Sequence, residues 1–242
     1  MVLNYERAGY GKSETAPSDG SRSASALAME LHLLLRVAKI TPPYIMICHH
    51  RSIEILREFM GLRNLAQFKG FVFVDAKTSP VNPPPEAIQS KLEELMLCYG
   101  DCHRLGDSAW QALLDEEARV GHKAAAKQEV VEYRATSVTT GSSAEHPEYG
   151  RVPLMILEAD RAFDLKKIYG EAVQSDIGSE DQRDQMKRLL EGTNKWDDQK
   201  SLVQLSERSK YQYLAGVGRK IQLVAPEKIA DAVAWILMQY RC

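Results

Sequence analysis

The sequence predicts an α/β protein whose core is a mostly parallel, doubly wound sheet. Residues 44–48 and 70–75 are short apolar runs, typical of strands that are buried on both faces, as in parallel sheets. Residues 53–60 between them have a helical pattern, and the order strand, helix, strand in so short a segment implies a parallel pair with a right-handed crossover. A third apolar run at 152–157 predicts another strand of the same sheet.

The N-terminal elements follow from composition and periodicity. Residues 1–4 resemble the end of a strand, and residues 5–20 form a predicted loop because glycine, serine and proline are frequent there. Residues 22–39 predict an amphipathic helix, because their leucines recur at spacings of three and four residues.

The C-terminal part continues the α/β pattern. Residues 182–191 predict a polar helix, residues 211–215 a last strand, and residues 226–241 a closing helix with one apolar face. Residues 77–150 instead combine a proline-rich start with charged helical segments that glycines interrupt. We therefore predict a core made of residues 1–76 and 151–242, with residues 77–150 inserted as a helical lid.

Composition excludes several classes of function. The 242 residues are 44% hydrophobic and 26% charged, with a net charge of −2, so no basic surplus attracts nucleic acid or an anionic membrane. The four cysteines form no disulfide framework, which indicates a reducing compartment. No apolar run approaches the length of about 18 residues that a membrane span needs, and no signal peptide is evident. We expect a cytoplasmic protein.

Six segments, in order and spacing, resemble the α/β-hydrolase superfamily, in particular its small-molecule hydrolases with an Arg-Ala-Gly-Tyr-Gly loop. These segments are residues 5–13, which contain that loop, and residues 30–35, 43–47, 70–76, 196–206 and 218–227. No single segment is specific, but six in register are. They span nearly the whole chain outside the predicted lid. The resemblance implies a lidded, apolar small-molecule pocket without a cofactor, in microbial and more narrowly fungal metabolism.

The resemblance also implies that this chain starts late. A complete family member carries about three strands and an oxyanion-hole loop before the segment that matches residues 5–13. The first strands of the fold are therefore missing here. Either the sequence is a fragment of a longer one, or the protein has a shortened sheet with an edge strand that needs cover.

The residues at the family's catalytic positions are unusual. Its nucleophile lies in a Gly-x-Ser-x-Gly turn, and the matching stretch here runs from Cys48 to Ser52, with His50 at the nucleophile position. Cys48, His49 and Arg51 would then line the pocket. The family's general base is the histidine of a Gly-His pair, and Arg219 occupies that place. Arginine stays protonated and cannot accept the proton of a nucleophile.

The acid position has three candidates. Asp160 and Asp164 follow the strand at 152–157, where the family's acid usually lies, and Asp75 follows the preceding strand. Losing one oxyanion-hole donor typically costs about 10²–10³ in rate, and losing a nucleophile or base costs roughly 10⁴–10⁶. We therefore expect a degenerate or ligand-binding homologue that is not a functional serine hydrolase.

Two alternatives remain open from the sequence. A non-hydrolytic tailoring enzyme (a lyase, isomerase or cyclase) would use His50 as a base and Arg219 to hold an anionic oxygen. An ester or amide hydrolase would be completed by a region before residue 1.

Other residues have a functional and a structural interpretation. Ser52 is either a shifted nucleophile or part of a helix start, and Cys48 is either a reactive thiol or a buried small side chain. Cys98, Cys102 and His103 have a spacing that a metal site could use, but it is not a standard zinc motif. We predict no metal.

Overall fold

The computed structural model describes residues 1–15, 20–76, 84–130, 147–192 and 199–240. Within these ranges the strands are β1 (Arg22–Ser23), β2 (Tyr44–His49), β3 (Phe68–Val74), β4 (Glu129–Val130), β5 (Leu154–Ala159) and β6 (Ser209–Leu214). The helices are α1 (Ala24–Val37), α2 (Ser52–Gly61), α3 (Glu86–Gln89), α4 (Glu94–Tyr99), α5 (Asp107–Ala118), α6 (Val120–Gln128), α7 (Arg161–Gln174), α8 (Glu180–Glu191), α9 (Ile221–Val224) and α10 (Pro226–Met238). Two 3₁₀ segments, Leu65–Gln67 and Gln199–Leu205, precede β3 and β6.

The main sheet has four parallel strands in the order β2-β3-β5-β6. Cys48 on β2 lies opposite Phe73, Phe73 lies opposite Ile156, and Ile156 lies opposite Tyr211 on β6. Because all four strands run the same way, their carboxyl ends meet at one edge. The predicted parallel sheet is confirmed, with β2 and β6 as its outer strands in the described residues.

Helices cover both faces of this sheet. Phe71 and Phe73 of β3 pack in one buried cluster with side chains of α1 and α2, whereas Val72 and Val74 pack on the opposite face against α10. The alternation of successive strand residues between faces produces this division. A β-carbon at Gly70 would lie 2.4 Å from the side chain of Ile236, so the absent side chain allows α10 to approach β3 closely.

Helices α3, α4 and α5 form a third cluster with α7 and α8. Its buried side chains are Ile88, Cys98, Tyr99, Trp110, Leu165, Ile168, Ala172, Met186 and Leu223. The helical character predicted for this stretch is therefore observed for α3 to α6. The bounds 1–76, 77–150 and 151–242, and the role of a lid, stay predictions.

Glu129 holds the N-terminal loop against this helical region. Its carboxylate accepts two hydrogen bonds of 2.7 Å from the Arg7 guanidinium and one of 3.1 Å from the Tyr10 hydroxyl. Arg22, which is buried, contacts the same carboxylate at 3.3 Å and also pairs with Glu30. The two-residue pairing of β1 with β4 brings Arg22 opposite Glu129.

One sequence prediction for the elements was wrong, and one helix was missed. Residues 1–7, where the end of a strand was predicted, contain no strand, since no described segment pairs with them, and Val2 is exposed. The sequence analysis also missed α7, whose buried positions include Leu165, Ile168 and a charged residue, Asp164. A carboxylate on the core-facing side obscured the apolar periodicity of that helix. Within the described residues, no helix is both long enough and apolar enough to cross a bilayer.

Candidate functional site

A sharp turn joins the end of β2 to the start of α2. Between His49 and Ser52 the chain reverses through His50, whose φ of 55° lies in the left-handed region that side chains rarely adopt. The backbone N–H of His50 donates to the carbonyl of Val74 at 3.0 Å, which fixes the turn beside the end of β3. A strained strand-to-helix turn of this kind raises its central side chain above the carboxyl edge of the sheet.

The side chain of Arg219 reaches this turn from the loop after β6. Its Nη2 lies 2.6 Å from Nε2 of His50. A guanidinium can only donate, so Nε2 of His50 is the acceptor and its proton is on Nδ1. The His50 imidazole is therefore neutral in this contact, with its Nε2 lone pair directed at the arginine.

His49 contacts the backbone of the same arginine. Its Nε2 lies 3.0 Å from the carbonyl oxygen of Arg219, and because a carbonyl only accepts, Nε2 of His49 carries the proton. Burial lowers the pKa of His49, and the nearby Lys220 acts in the same direction. Two consecutive histidines thus hold opposite tautomers around one arginine.

Asp75 is the buried acid of the site. It follows β3 with a φ of 43° and is fully buried. Its Oδ2 lies 3.4 Å from Nε of Arg219, and its Oδ1 lies 3.5 Å from Nε of Arg161. Gln199 donates to Oδ1 at 3.0 Å. One carboxylate is therefore shared between two guanidinium groups.

Asp164 holds the backbone of the Arg219 loop. Its Oδ2 accepts from the backbone N–H of Arg219 at 2.9 Å and from the Tyr99 hydroxyl at 2.8 Å. Burial raises the pKa of Asp164, and these hydrogen bonds oppose that effect. A β-carbon at Gly218 would lie 2.2 Å from Oδ1 of Asp164, so a glycine is required for this close approach.

Asp160 lies outside this group, and its hydrogen bonds have a structural role. Its Oδ1 accepts from the backbone N–H of Ala162 at 3.1 Å, which caps the N-terminus of α7. Its Oδ2 accepts from the backbone N–H of Gly216 at 3.1 Å. Of the three acid candidates, the structure brings Asp75 and Asp164 to Arg219 and places Asp160 in a helix cap.

The remaining candidates around the turn differ in exposure. Cys48 is buried in the core cluster beneath α1 and α2, and burial raises the pKa of its thiol to about 12. This environment suits a small buried side chain and not a reactive thiol. Arg51 is exposed just before α2, and Ser52 is the first residue of that helix.

Three residues of the site were not anticipated from the sequence. Arg161 is the first residue of α7, two residues after the end of β5, and this position at the carboxyl end of a parallel strand is a signal that could have identified it. Tyr99 and Gln199 lie in distant segments and reach the site only through the tertiary fold. In the described part of the chain, no group of three or more His, Cys, Asp or Glu residues is arranged to hold a metal ion.

Comparison with known proteins gives two distant sequence relatives, and no family model matches the chain. A protein named "Probable transporter efuK" from Hormonema carpetanum is 25% identical over 253 residues, which cover 99% of this chain and 36% of that protein. An "AB hydrolase superfamily protein" from Gibberella zeae is 25% identical over 259 residues, covering 99% of this chain and 79% of that protein. The chain thus spans about a third of the first relative's length.

Solved structures of hydrolases share the fold. The esterase RhEst1 from Rhodococcus sp. ECU1013 superposes with a TM-score of 0.56 at 13% identity, covering 95% of this chain and 77% of the esterase. The epoxide hydrolase CorEH gives a TM-score of 0.56 at 12% identity, covering 97% of this chain and 80% of the enzyme. The predicted α/β-hydrolase fold is confirmed.

Proposed function

We propose that this chain is an α/β-hydrolase-like protein that binds a small molecule and lacks serine-hydrolase chemistry. The contact between Arg219 and His50 carries the proposal. In this assignment, which rests on the resemblance and on the left-handed turn, His50 occupies the nucleophile position and Arg219 the general-base position. In a serine hydrolase, proton transfer begins between the side chains at these two positions. His50 and Arg219 cannot replace the serine and the histidine in that step.

The first step of acyl transfer needs a nucleophile that loses a proton to a base. Arg219 cannot take a proton, because a guanidinium stays charged at any physiological pH. His50 presents an imidazole whose Nε2 lone pair is directed at Arg219. Replacing either partner of a triad typically lowers the rate by roughly 10⁴–10⁶. Efficient ester hydrolysis is therefore not expected from this arrangement.

Binding of a small molecule is the function that fits the other features of this site. The turn, Arg219 and the buried Asp75 lie where the carboxyl ends of the parallel strands meet, and ligands of open α/β sheets bind at that edge. Ligand binding requires only complementary contacts, and the charged and hydrogen-bonding groups of this site can supply them.

A tailoring enzyme that uses His50 as a base is the second candidate, and the same contact motivates it. The imidazole is neutral, and a guanidinium beside it would stabilise a developing anion. The Arg219 side chain is 41% exposed, so it has room to turn toward a ligand and release Nε2 of His50. This candidate predicts turnover without addition of water.

Hydrolysis of p-nitrophenyl esters from acetate to octanoate tests the proposal. We expect no release of p-nitrophenol above the rate given by an equal concentration of His50→Ala. The variant His32→Ala is the matched control, because it removes an imidazole from α1, away from the site. Release by wild type and His32→Ala that His50→Ala abolishes would show a working hydrolase and overturn the proposal.

A further inference from the structure

We infer that Arg219 binds a carboxylate group, so that the ligand of this chain is an organic acid. The inference rests on the proposed function, since it names the class of ligand for the same site. It follows from the charges around Asp75, from the donors that Arg219 has left, and from the exposure of its side chain.

Among the described side chains, the carboxylate that approaches the Arg219 guanidinium is that of Asp75, and the contact is a loose one. Arg161 and Arg219 approach one carboxylate, that of Asp75, at 3.5 and 3.4 Å. The distance to Arg219 exceeds the roughly 2.7–2.9 Å of a well-formed charge-assisted hydrogen bond, so Asp75 only partly compensates the Arg219 guanidinium. Asp164 contacts the backbone N–H of Arg219 and not its guanidinium. Lys220, which follows Arg219, adds a positive charge near the turn.

Arg219 has hydrogen-bond donors available to a ligand. Of the five N–H groups of a guanidinium, Nε and one at Nη2 have partners among the described residues, namely Asp75 and His50. The remaining donors, on Nη1 and Nη2, form the planar fork that recognises a carboxylate through two parallel hydrogen bonds.

Burial divides the charged group into an inner and an outer part. Asp75 is fully buried and the Arg161 side chain is 13% exposed, whereas the Arg219 side chain is 41% exposed. The inner pair therefore acts as a positioning element that holds the outer guanidinium at the turn. An incoming carboxylate would pair with the Arg219 guanidinium from the solvent side, where its own desolvation is limited.

Matched acids and amides test this inference by isothermal titration calorimetry. The pairs are octanoate with octanamide, 4-phenylbutyrate with 4-phenylbutanamide, and indole-3-acetate with indole-3-acetamide. Each pair has nearly the same shape and differs in charge. For at least one pair, we expect wild type to bind the acid at least 10-fold more tightly than the amide.

Two variants identify the residue responsible. Arg219→Gln should bring the affinity for the acid to within about 3-fold of that for the amide. Arg151→Gln is the matched control, because that side chain is 70% exposed and precedes β5 at the opposite end of the sheet. Arg151→Gln should bind the acids and the amides with the same affinities as wild type. Circular dichroism and urea unfolding of Arg219→Gln verify that the variant is folded.

The outcomes separate this inference from the proposed function. Equal binding of acid and amide, or acid selectivity that survives in Arg219→Gln, would overturn the carboxylate inference while leaving small-molecule binding intact. The absence of binding by every acid would overturn it as well. Turnover of p-nitrophenyl octanoate that depends on His50 would instead overturn the proposed function.

Discussion

Nη2 of Arg219 lies 2.6 Å from Nε2 of His50, and the backbone carbonyl of the same arginine accepts a hydrogen bond of 3.0 Å from His49. One residue of the loop after β6 is thereby bound to both histidines at the end of β2. The side chain and the backbone of Arg219 require opposite tautomers of the two imidazoles. This pairing makes the turn and the loop a single structural unit.

Replacing Asp75 with asparagine should destabilise the fold strongly. The variant removes the charge of the fully buried carboxylate that Arg161 and Arg219 both approach, and removing one partner of a buried ion pair costs about 3–5 kcal/mol. Urea denaturation measures the change. Asp101→Asn is the matched control, because Asp101 pairs with Lys167 at 2.8 Å but is 74% exposed. Its loss should cost at most about 1 kcal/mol. Equal effects of the two variants would contradict the buried role of Asp75.

Asp160→Ala should lower stability without changing ligand affinity. Asp160 caps α7 and accepts from the Gly216 amide, and loss of a helix N-cap costs about 1 kcal/mol. Chemical denaturation and calorimetric titration with the acids named above measure the two properties. A loss of affinity with unchanged stability would show that Asp160 belongs to the binding site.

The stability of the protein should fall as the pH drops below 6.5, in part through His49. Burial lowers the folded pKa of His49 below its ordinary value of 6.5, so the unfolded chain binds a proton that the folded chain excludes. The contribution is complete above pH 6.5 and is lost as the pH falls through that value toward the folded pKa. In this window, one such group gives a slope of up to about 1.4 kcal/mol per pH unit.

The variant His49→Gln isolates this contribution. Glutamine retains an N–H donor for the carbonyl of Arg219 but does not titrate. Urea unfolding between pH 5 and 8 should show a smaller pH dependence for the variant than for wild type. An unchanged slope would mean that other groups cause the acid sensitivity.

Cys48 should be almost inert to alkylation in the folded protein. Burial raises the pKa of its thiol from 9.0 to about 12, which reduces the thiolate fraction about 1000-fold. Iodoacetamide labelling followed by peptide mass spectrometry reports each cysteine separately. We expect labelling of Cys48 in guanidinium chloride and almost none in buffer at pH 8. Fast labelling in the folded state would support the reactive-thiol interpretation.

Glu129→Gln should loosen the N-terminal loop. The neutral side chain weakens the charge-assisted hydrogen bonds from Arg7 and leaves buried Arg22 with one carboxylate fewer, a loss of about 2 kcal/mol. Hydrogen exchange of the Gly9 amide should accelerate. The control Glu30→Gln removes the more exposed partner of Arg22 and should have a smaller effect. Faster exchange in the control than in Glu129→Gln would contradict the central role of Glu129.

The sequence predicted the sheet because its strands are short, apolar and separated by recognisable breaks. Strands β2, β3 and β5 all lie within two residues of their predicted starts. Helix α7 escaped prediction because Asp164 faces inward, and the reason for that burial is its pair of hydrogen bonds to Tyr99 and Arg219, which no local pattern reveals.

The site was predictable to a similar extent. The resemblance brought His50 and Arg219 into one hypothesis, and the structure places their side chains in contact. It placed the acid at Asp160 or Asp164 and left Asp75 as a rival, since all three follow strands of the same sheet. Only the through-space contacts distinguish the cap at Asp160 from the ion group at Asp75, because spacing along the chain does not encode which carboxylate a distant arginine meets.

The position of Asp75 also affects how the protein unfolds locally. Its carboxylate is contacted from three separate later segments, by Arg161, Gln199 and Arg219. Releasing any one segment alone would leave the other two against an incompletely neutralised charge in a water-poor environment. The start of α7, the 3₁₀ segment Gln199–Leu205 and the loop after β6 should therefore unfold together as one cooperative substructure. Their backbone amides should show a common protection factor in hydrogen exchange.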